Sequence, residues 1–170
     1  GEEVLTEWQK SKSGWIWLDL LDEETGGEAE FLQKSFAFDE IDIIEAQRLR
    51  HPPTVNFHDH YTFLLTKPLD SDSHDLDFST LQLALFAGDN FLVTRRGKQS
   101  NYLDQLWDKT IGNKISPSTP TEILSALLRR ITSRYANILL NLESRLDVIE
   151  DEIFESTSEA LVKELSGYNT

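Results

Sequence analysis

The sequence predicts an α+β protein: a three-layer α/β/α arrangement with a mixed β-sheet flanked by helices, followed by a long C-terminal helical hairpin. Three observations predict it. One strand-like stretch is followed by two helical stretches, then by several strands, and after that by helices only. Two apolar runs meet at Gly88-Asp89-Asn90 like the arms of a hairpin. An apolar stripe then continues from Thr119 to about Glu155, more than a small domain can cover. The division is a sheet domain over residues 1–117 and a long-helix extension over residues 118–170. No internal repeat is visible.

In order, Gly14-Trp15-Ile16-Trp17-Leu18-Asp19-Leu20 is almost continuously apolar, which suits a strand covered on both faces. Residues 21–27 read as a turn. Phe31, Leu32 and Phe36 recur at helical spacing between Glu28 and Phe36, and a second short helix is expected from Asp39 to Gln47, with Ile41, Ile44 and Ala46 partly inward. Pro52-Pro53 ends it. Val55, Phe57, Tyr61, Phe63 and Leu65 then alternate as in one strand with a single face on a core. Residues 67–75 form a polar, acidic connection expected to be mobile. Phe78–Ala87 and Phe91–Arg95 read as strands joined by residues that tolerate positive φ. Ser100–Asp108 reads as a helix with Leu103, Leu106 and Trp107 inward.

Thr119-Pro120-Thr121-Glu122 is a capping box that opens the long helix: hydroxyl acceptor, proline at the first turn, glutamate reaching back. Leu124, Leu128, Ile131, Tyr135, Ile138, Leu142, Leu146, Ile149 and Ile153 follow at threes and fours, with no Gly or Pro between them. A stripe of this length needs a second helix or another subunit. Ser156-Thr157-Ser158-Glu159 reads as a turn, after which Ala160, Leu161 and Leu165 begin the second arm.

Composition narrows the function. With no cysteine, disulfides, thiolate metal sites and cysteine nucleophiles are excluded. No run of 18 apolar residues suits a membrane helix, and the first residues do not read as a secretory leader. A net charge of −14 argues against nucleic acid and anionic lipid as partners and suits divalent cations; simple solubility explains it equally well.

Candidate chemistry is sparse. His58 and His60, at i and i+2 of a strand, could share a metal, but Asn56 and Thr62 on the same face suit a solvated one. His51 and His74 have no evident partner. Arg95-Arg96-Gly97-Lys98 reads as an anion site or, preferably, a solvated strand end. Asp39, Glu40, Asp42 and Glu45 crowd the second helix, with Asp42 and Glu45 on neighbouring positions of one face. Such carboxylates could serve a hard divalent cation, but from spacing alone a solvated helix face is the preferred reading. No pair suits acid–base catalysis, and no nucleophile elbow, phosphate loop or HExxH is present.

Three stretches together carry a resemblance: Trp15-Ile16-Trp17-Leu18-Asp19-Leu20, Pro53-x-Val55-x-Phe57-x-x-x-Tyr61, and Leu81 to Arg95 with Gly88-Asp89-Asn90 at its centre. With Leu142-Glu143-x-x-Leu146-Asp147-x-Ile149-Glu150-Asp151-x-Ile153, the chain resembles the cytoplasmic domain of the CorA family of Mg²⁺ and Co²⁺ transporters, which includes the zinc-transporting ZntB branch. The resemblance implies a non-enzymatic domain on the cytoplasmic face of the inner membrane. It further implies a homopentamer held closed by divalent cations between neighbours, and membrane contact only through segments after residue 170. There the family carries its Gly-Met-Asn signature. The family's regulatory acid falls on Glu45, with Asp42 as a lesser candidate for Mg²⁺. Its stalk partner falls beyond Thr170. A second acidic pair falls on Arg129 and Ile44 and is expected to be absent. The competing expectations are an oligomerisation scaffold with no ion role, or a metalloenzyme built on His58 and His60.

Overall fold

The computed structural model describes residues 2–11, 14–22, 26–48, 51–70, 79–112 and 115–167, without the side chains of residues 2, 102 and 155–167. A five-stranded sheet runs in the order β1-β5-β4-β3-β2. Its strands are β1 (Ile16–Leu21), β2 (Thr54–Phe57), β3 (Thr62–Thr66), β4 (Leu83–Ala87) and β5 (Phe91–Arg96). β1 lies parallel to β5, and every other neighbouring pair is antiparallel, so the sheet is mixed as expected.

Helices cover both faces. α2 (Glu28–Phe36) and α3 (Glu40–Gln47) lie on one, joined by α1 (Glu2–Ser11), which the sequence reading did not anticipate. α1 docks through Leu5 and Trp8 onto a core of Leu32, Phe36, Phe38, Phe63, Phe86 and Phe91. Trp8 packs on Phe36 and meets Phe91 edge-on, at centroid distances of 6.0 and 6.3 Å. α4 (Asn101–Ile111) and the start of α5 (Pro120–Gly167) cover the other face, where Leu83, Leu85 and Leu92 meet Leu103, Leu106, Ile123 and Leu127. β4 and β5 face a core on both sides, which is why β4 and the first half of β5 are apolar without alternation. Each fully buried Leu or Phe here contributes about 2–3 kcal/mol of transfer free energy.

Four local expectations are corrected. Residues 54–66 form two strands, not one: the chain reverses at residues 58–61, leaving Val55 and Phe57 exposed on edge strand β2 while Tyr61, Phe63 and Leu65 are buried. In α3 the inward residues are Asp42, Ile43 and Ala46, while Ile41 and Ile44 face out. The turn at residues 88–90 forms with negative φ throughout. Gly88 is needed for room instead, since a Cβ there would run into the Phe91 ring and lie 3.0 Å from the His60 carbonyl oxygen. The fourth is the helical hairpin. α5 is one helix of 48 residues that passes through Ser156–Glu159 without a turn. Nothing from Thr121 to Ser166 is Gly or Pro, and Ser and Thr cost only a fraction of a kcal/mol each in a helix interior. At its start Pro120 takes the first position and Glu122 accepts from the Ser118 N–H at 3.0 Å, one residue earlier than a capping box requires.

α5 spans roughly 70 Å, and only its first third lies on the sheet. Ile123 and Leu127 are buried; Leu139, Leu140, Leu146, Val148, Ile153 and Phe154 are exposed. Among the described residues no helix is long and apolar enough to cross a membrane.

Candidate functional site

The acidic cluster predicted on the second helix divides between two environments. Asp39 caps α3, its Oδ1 accepting from the Ile41 N–H at 2.8 Å. One turn on, Asp42 points into the protein and is 1% exposed. Its Oδ1 accepts from Asn56 at 2.6 Å; its Oδ2 accepts from the Tyr61 hydroxyl and lies 2.7 Å from His58 Nε2. The Tyr61 hydroxyl also accepts from the Asp39 N–H at 3.0 Å, which ties the start of α3 to the β2–β3 turn. Burial, followed by the bond to Asp42, raises the Tyr61 pKa far above the ordinary phenol range.

His58 and His60 lie in that turn rather than on a strand, which removes the i, i+2 geometry expected of them. His58 stacks on Tyr61 at 4.4 Å and His60 meets the same ring edge-on. The one His58 nitrogen aimed inward is engaged by Asp42. His74 lies outside the described residues.

Glu45 is half-buried at the end of α3. Its Oε1 is 3.7 Å from His51 Nε2, while its Oε2 is buried with no hydrogen-bond partner. Gln82, between β3 and β4, holds the backbone here: its amide donates to the carbonyls of Glu45, Ala46 and Arg48 at 2.8–3.2 Å, and its Oε1 accepts from Lys67. Arg95 adds a bond to the Ala46 carbonyl at 2.9 Å. Two donor groups, the Gln82 amide and the Arg95 guanidinium, therefore make four hydrogen bonds to the carbonyl end of α3, where the helix dipole is negative. Asp42 and Glu45 do not form the paired face that their spacing suggested, and no group of three His, Asp or Glu could hold a metal ion among the described residues. Arg129 and Ile44 are both exposed and bring no carboxylate together.

The basic run at the end of β5 is neither an anion site nor a solvated strand end. Arg95 is buried and pairs with Asp22 at 3.0 Å and Glu28 at 2.7 Å. Arg96, also buried, bridges Asp19 of β1 and Asp104 of α4, both at 2.8 Å. Burial alone would lower its pKa, yet the Asp104 and Asp19 carboxylates outweigh it and raise the value. Lys98 pairs with Asp70. The sequence offered one signal for the buried network: an aspartate inside the apolar run Ile41-Asp42-Ile43-Ile44. Gln82 had none, because its partners are backbone atoms.

Compared with known proteins, residues 12–170 match the CorA-like Mg²⁺ transporter protein family. No curated protein matches the chain by sequence. Solved structures share its fold. The full-length CmaX protein is 15% identical with a TM-score of 0.67, over 81% of this chain and 42% of that one. The soluble domain of CorA from Methanocaldococcus jannaschii is 23% identical with a TM-score of 0.61, over 86% and 58%. The ZntB cytoplasmic domain from Vibrio parahaemolyticus is 14% identical with a TM-score of 0.50, over 86% and 55%. At these identities the likeness establishes the fold alone, and the chain spans roughly half the length of these proteins. The family match covers nearly the whole sequence, and on that ground the chain belongs to the CorA-like family of Mg²⁺ transporters.

Proposed function

We propose that this chain is the cytoplasmic regulatory and assembly domain of a divalent-cation transporter of the inner membrane, carrying Mg²⁺, Co²⁺ or Zn²⁺ and working as a homopentamer without catalytic residues of its own. The observation that carries the reading, beside family membership, is α5. Its first turns bury Ile123 and Leu127 on the sheet, while its far half presents Leu139, Leu140, Leu146 and Ile153 to solvent. Apolar residues at that density suit a helix that continues into an assembly.

Glu45 supports the regulatory part. A carboxylate oxygen that is buried and unpartnered is costly unless something cationic completes it. Mg²⁺ fits such a place, because it takes one or two carboxylates and keeps several waters. His51 fits it less well, since a hard cation prefers oxygen. Asp42 is the poorer candidate because three donors already use its oxygens. In this reading Mg²⁺ between neighbouring copies offsets the repulsion of their acids, and its loss lets the copies separate.

Limited proteolysis of the protein from the whole reading frame, in detergent, tests this. Millimolar Mg²⁺ should protect it, and Glu45→Ala should raise the concentration required by about tenfold, equivalent to ~1.4 kcal/mol of ion binding. Identical digestion with and without Mg²⁺ would discard the sensor. If the protein still assembled in that case, the second reading would stand: an oligomerisation scaffold with no ion role, which the same exposed leucines favour.

A further inference from the structure

We propose that Gln82 is a positioning residue: by joining the last turn of α3 to the root of α5, it sets the direction in which that long helix leaves the sheet domain. Every link is a hydrogen bond within one copy. The Gln82 amide donates to the carbonyls of Glu45, Ala46 and Arg48 at 3.2, 3.1 and 2.8 Å. Its Oε1 accepts from Lys67 Nζ at 3.0 Å. The Lys67 carbonyl in turn accepts from the Tyr135 hydroxyl at 2.5 Å. Beside Tyr135, Arg134 donates to the Asp70 carbonyl at 3.1 Å, so two consecutive residues of α5 grip the segment that follows β3.

The grip lies where the helix departs. Before it, Ile123 and Leu127 are buried on the sheet; after it, Leu139 and Leu140 are 63% and 60% exposed. Roughly 48 Å of α5 follows Tyr135, so a swing of about 10° at that point displaces the far end by about 8 Å.

The other end of the link is rigid. Three carbonyls on one side of the Gln82 carboxamide and an ammonium on the other admit a single orientation of it. Arg95 shares the Ala46 carbonyl, at 2.9 Å, so the two amide hydrogens of Gln82 and one of Arg95 serve all three acceptors. The carboxamide is planar, and its hydrogens and oxygen turn together. A displaced α3 turn therefore carries Oε1 and the Lys67 side chain with it. Glu45 stands on that turn. On the regulatory reading given above, a cation that completes its carboxylate draws on the turn, and the pull reaches α5 through Gln82. This ion dependence rests on that reading, whereas the link from α3 to α5 does not.

The chain has no cysteine, so Asp89→Cys in the β4–β5 turn and Phe154→Cys on the far half of α5 carry one pair of spin labels. Labelled chain diluted in unlabelled chain reports distances within one copy. The native chain should give a narrow distribution. Gln82→Met, unbranched and without a strong donor or acceptor, should shift or broaden it by about 5 Å, the travel of a ~28 Å lever through about 10°. Lys67→Met should do the same, and Lys67→Arg, which keeps a donor, should restore the native distribution. Tyr135→Phe breaks the link at its outer end without touching α3, and it too should broaden the distances. An unchanged distribution in Gln82→Met or Tyr135→Phe, or no restoration by Lys67→Arg, would overturn the proposal. Millimolar Mg²⁺ should move the native distances and leave those of Gln82→Met where they were. A Gln82→Met chain that still answers to Mg²⁺ would also overturn it. A native chain that ignores Mg²⁺ while the three variants broaden would remove Glu45 as the ion's place and leave the link standing.

Discussion

Asp42 joins α3 to the β2–β3 turn through three hydrogen-bonding side chains, so its loss should be felt well beyond one contact. Asp42→Ala leaves the Tyr61 hydroxyl and the Asn56 amide without their acceptor and removes the partner of His58. A buried donor left unpaired costs about 1–3 kcal/mol, and His58 is partly solvated, so the expected loss is about 2–4 kcal/mol in urea unfolding followed by tryptophan fluorescence. A loss under ~1 kcal/mol would mean that water replaces the carboxylate at little cost. Tyr61 adds a dependence on pH. Its folded pKa is raised, by burial first and then by the bond to Asp42, so the neutral phenol is the form that the native state favours. Its contribution is fully present below the unfolded value of about 10 and is lost as pH rises beyond it, by up to ~1.4 kcal/mol per unit. Tyr61→Phe should be less stable than the native chain at pH 7 yet lose less between about pH 10 and 11. Parallel pH profiles for the two chains would show that the phenol is not held neutral.

Among the elements, β4, β5, α2 and the onset of α5 were legible because each is decided locally, by an apolar run, a helical period or a cap. β2 and β3 were merged because Val55 and Phe57 keep the alternation of Phe63 and Leu65 across a reversal that contains neither Gly nor Pro. Which side of that pattern is buried is decided by α5 and by the sheet edge, neither of which alternation can register. α3 misled for a related reason. Its apolar residues look outward as well as inward, and the polar Asp42 takes an inward position that only Asn56, His58 and Tyr61 make affordable. The β4–β5 turn shows how the right residue can be expected on the wrong ground: Gly88 serves close packing, not positive φ. Gly88→Ala should therefore destabilise the protein by about 1–3 kcal/mol, because the Phe91 ring and the His60 backbone both crowd the new methyl. A cost near zero in thermal unfolding would show that the Phe91 ring moves aside freely.

For the molecule as a whole, the overlong rod was visible in the sequence, whereas the fate of its charges was not. The basic run at the end of β5 looked like surface, yet Arg95 and Arg96 are buried in ion pairs, so the protein spends part of its scarce positive charge inside. The exterior is left strongly acidic under a net charge of −14. Raising NaCl from roughly 0.01 to 1 M shortens the Debye length from ~30 to ~3 Å, which removes surface repulsion but screens the buried pairs much less. Stability should rise with salt, by about 2–4 °C in Tm for each kcal/mol of repulsion removed. That part is nonspecific and any salt should produce it. Mg²⁺ at matched ionic strength should add to it only if an ion binds a defined place in the folded chain, by the ordinary linkage of ligand to stability. Glu45→Ala should then abolish the Mg²⁺ increment and leave the NaCl response intact. An increment that survives the substitution would mean the ion acts on the acidic surface at large, and Glu45 would lose its claim to a regulatory site.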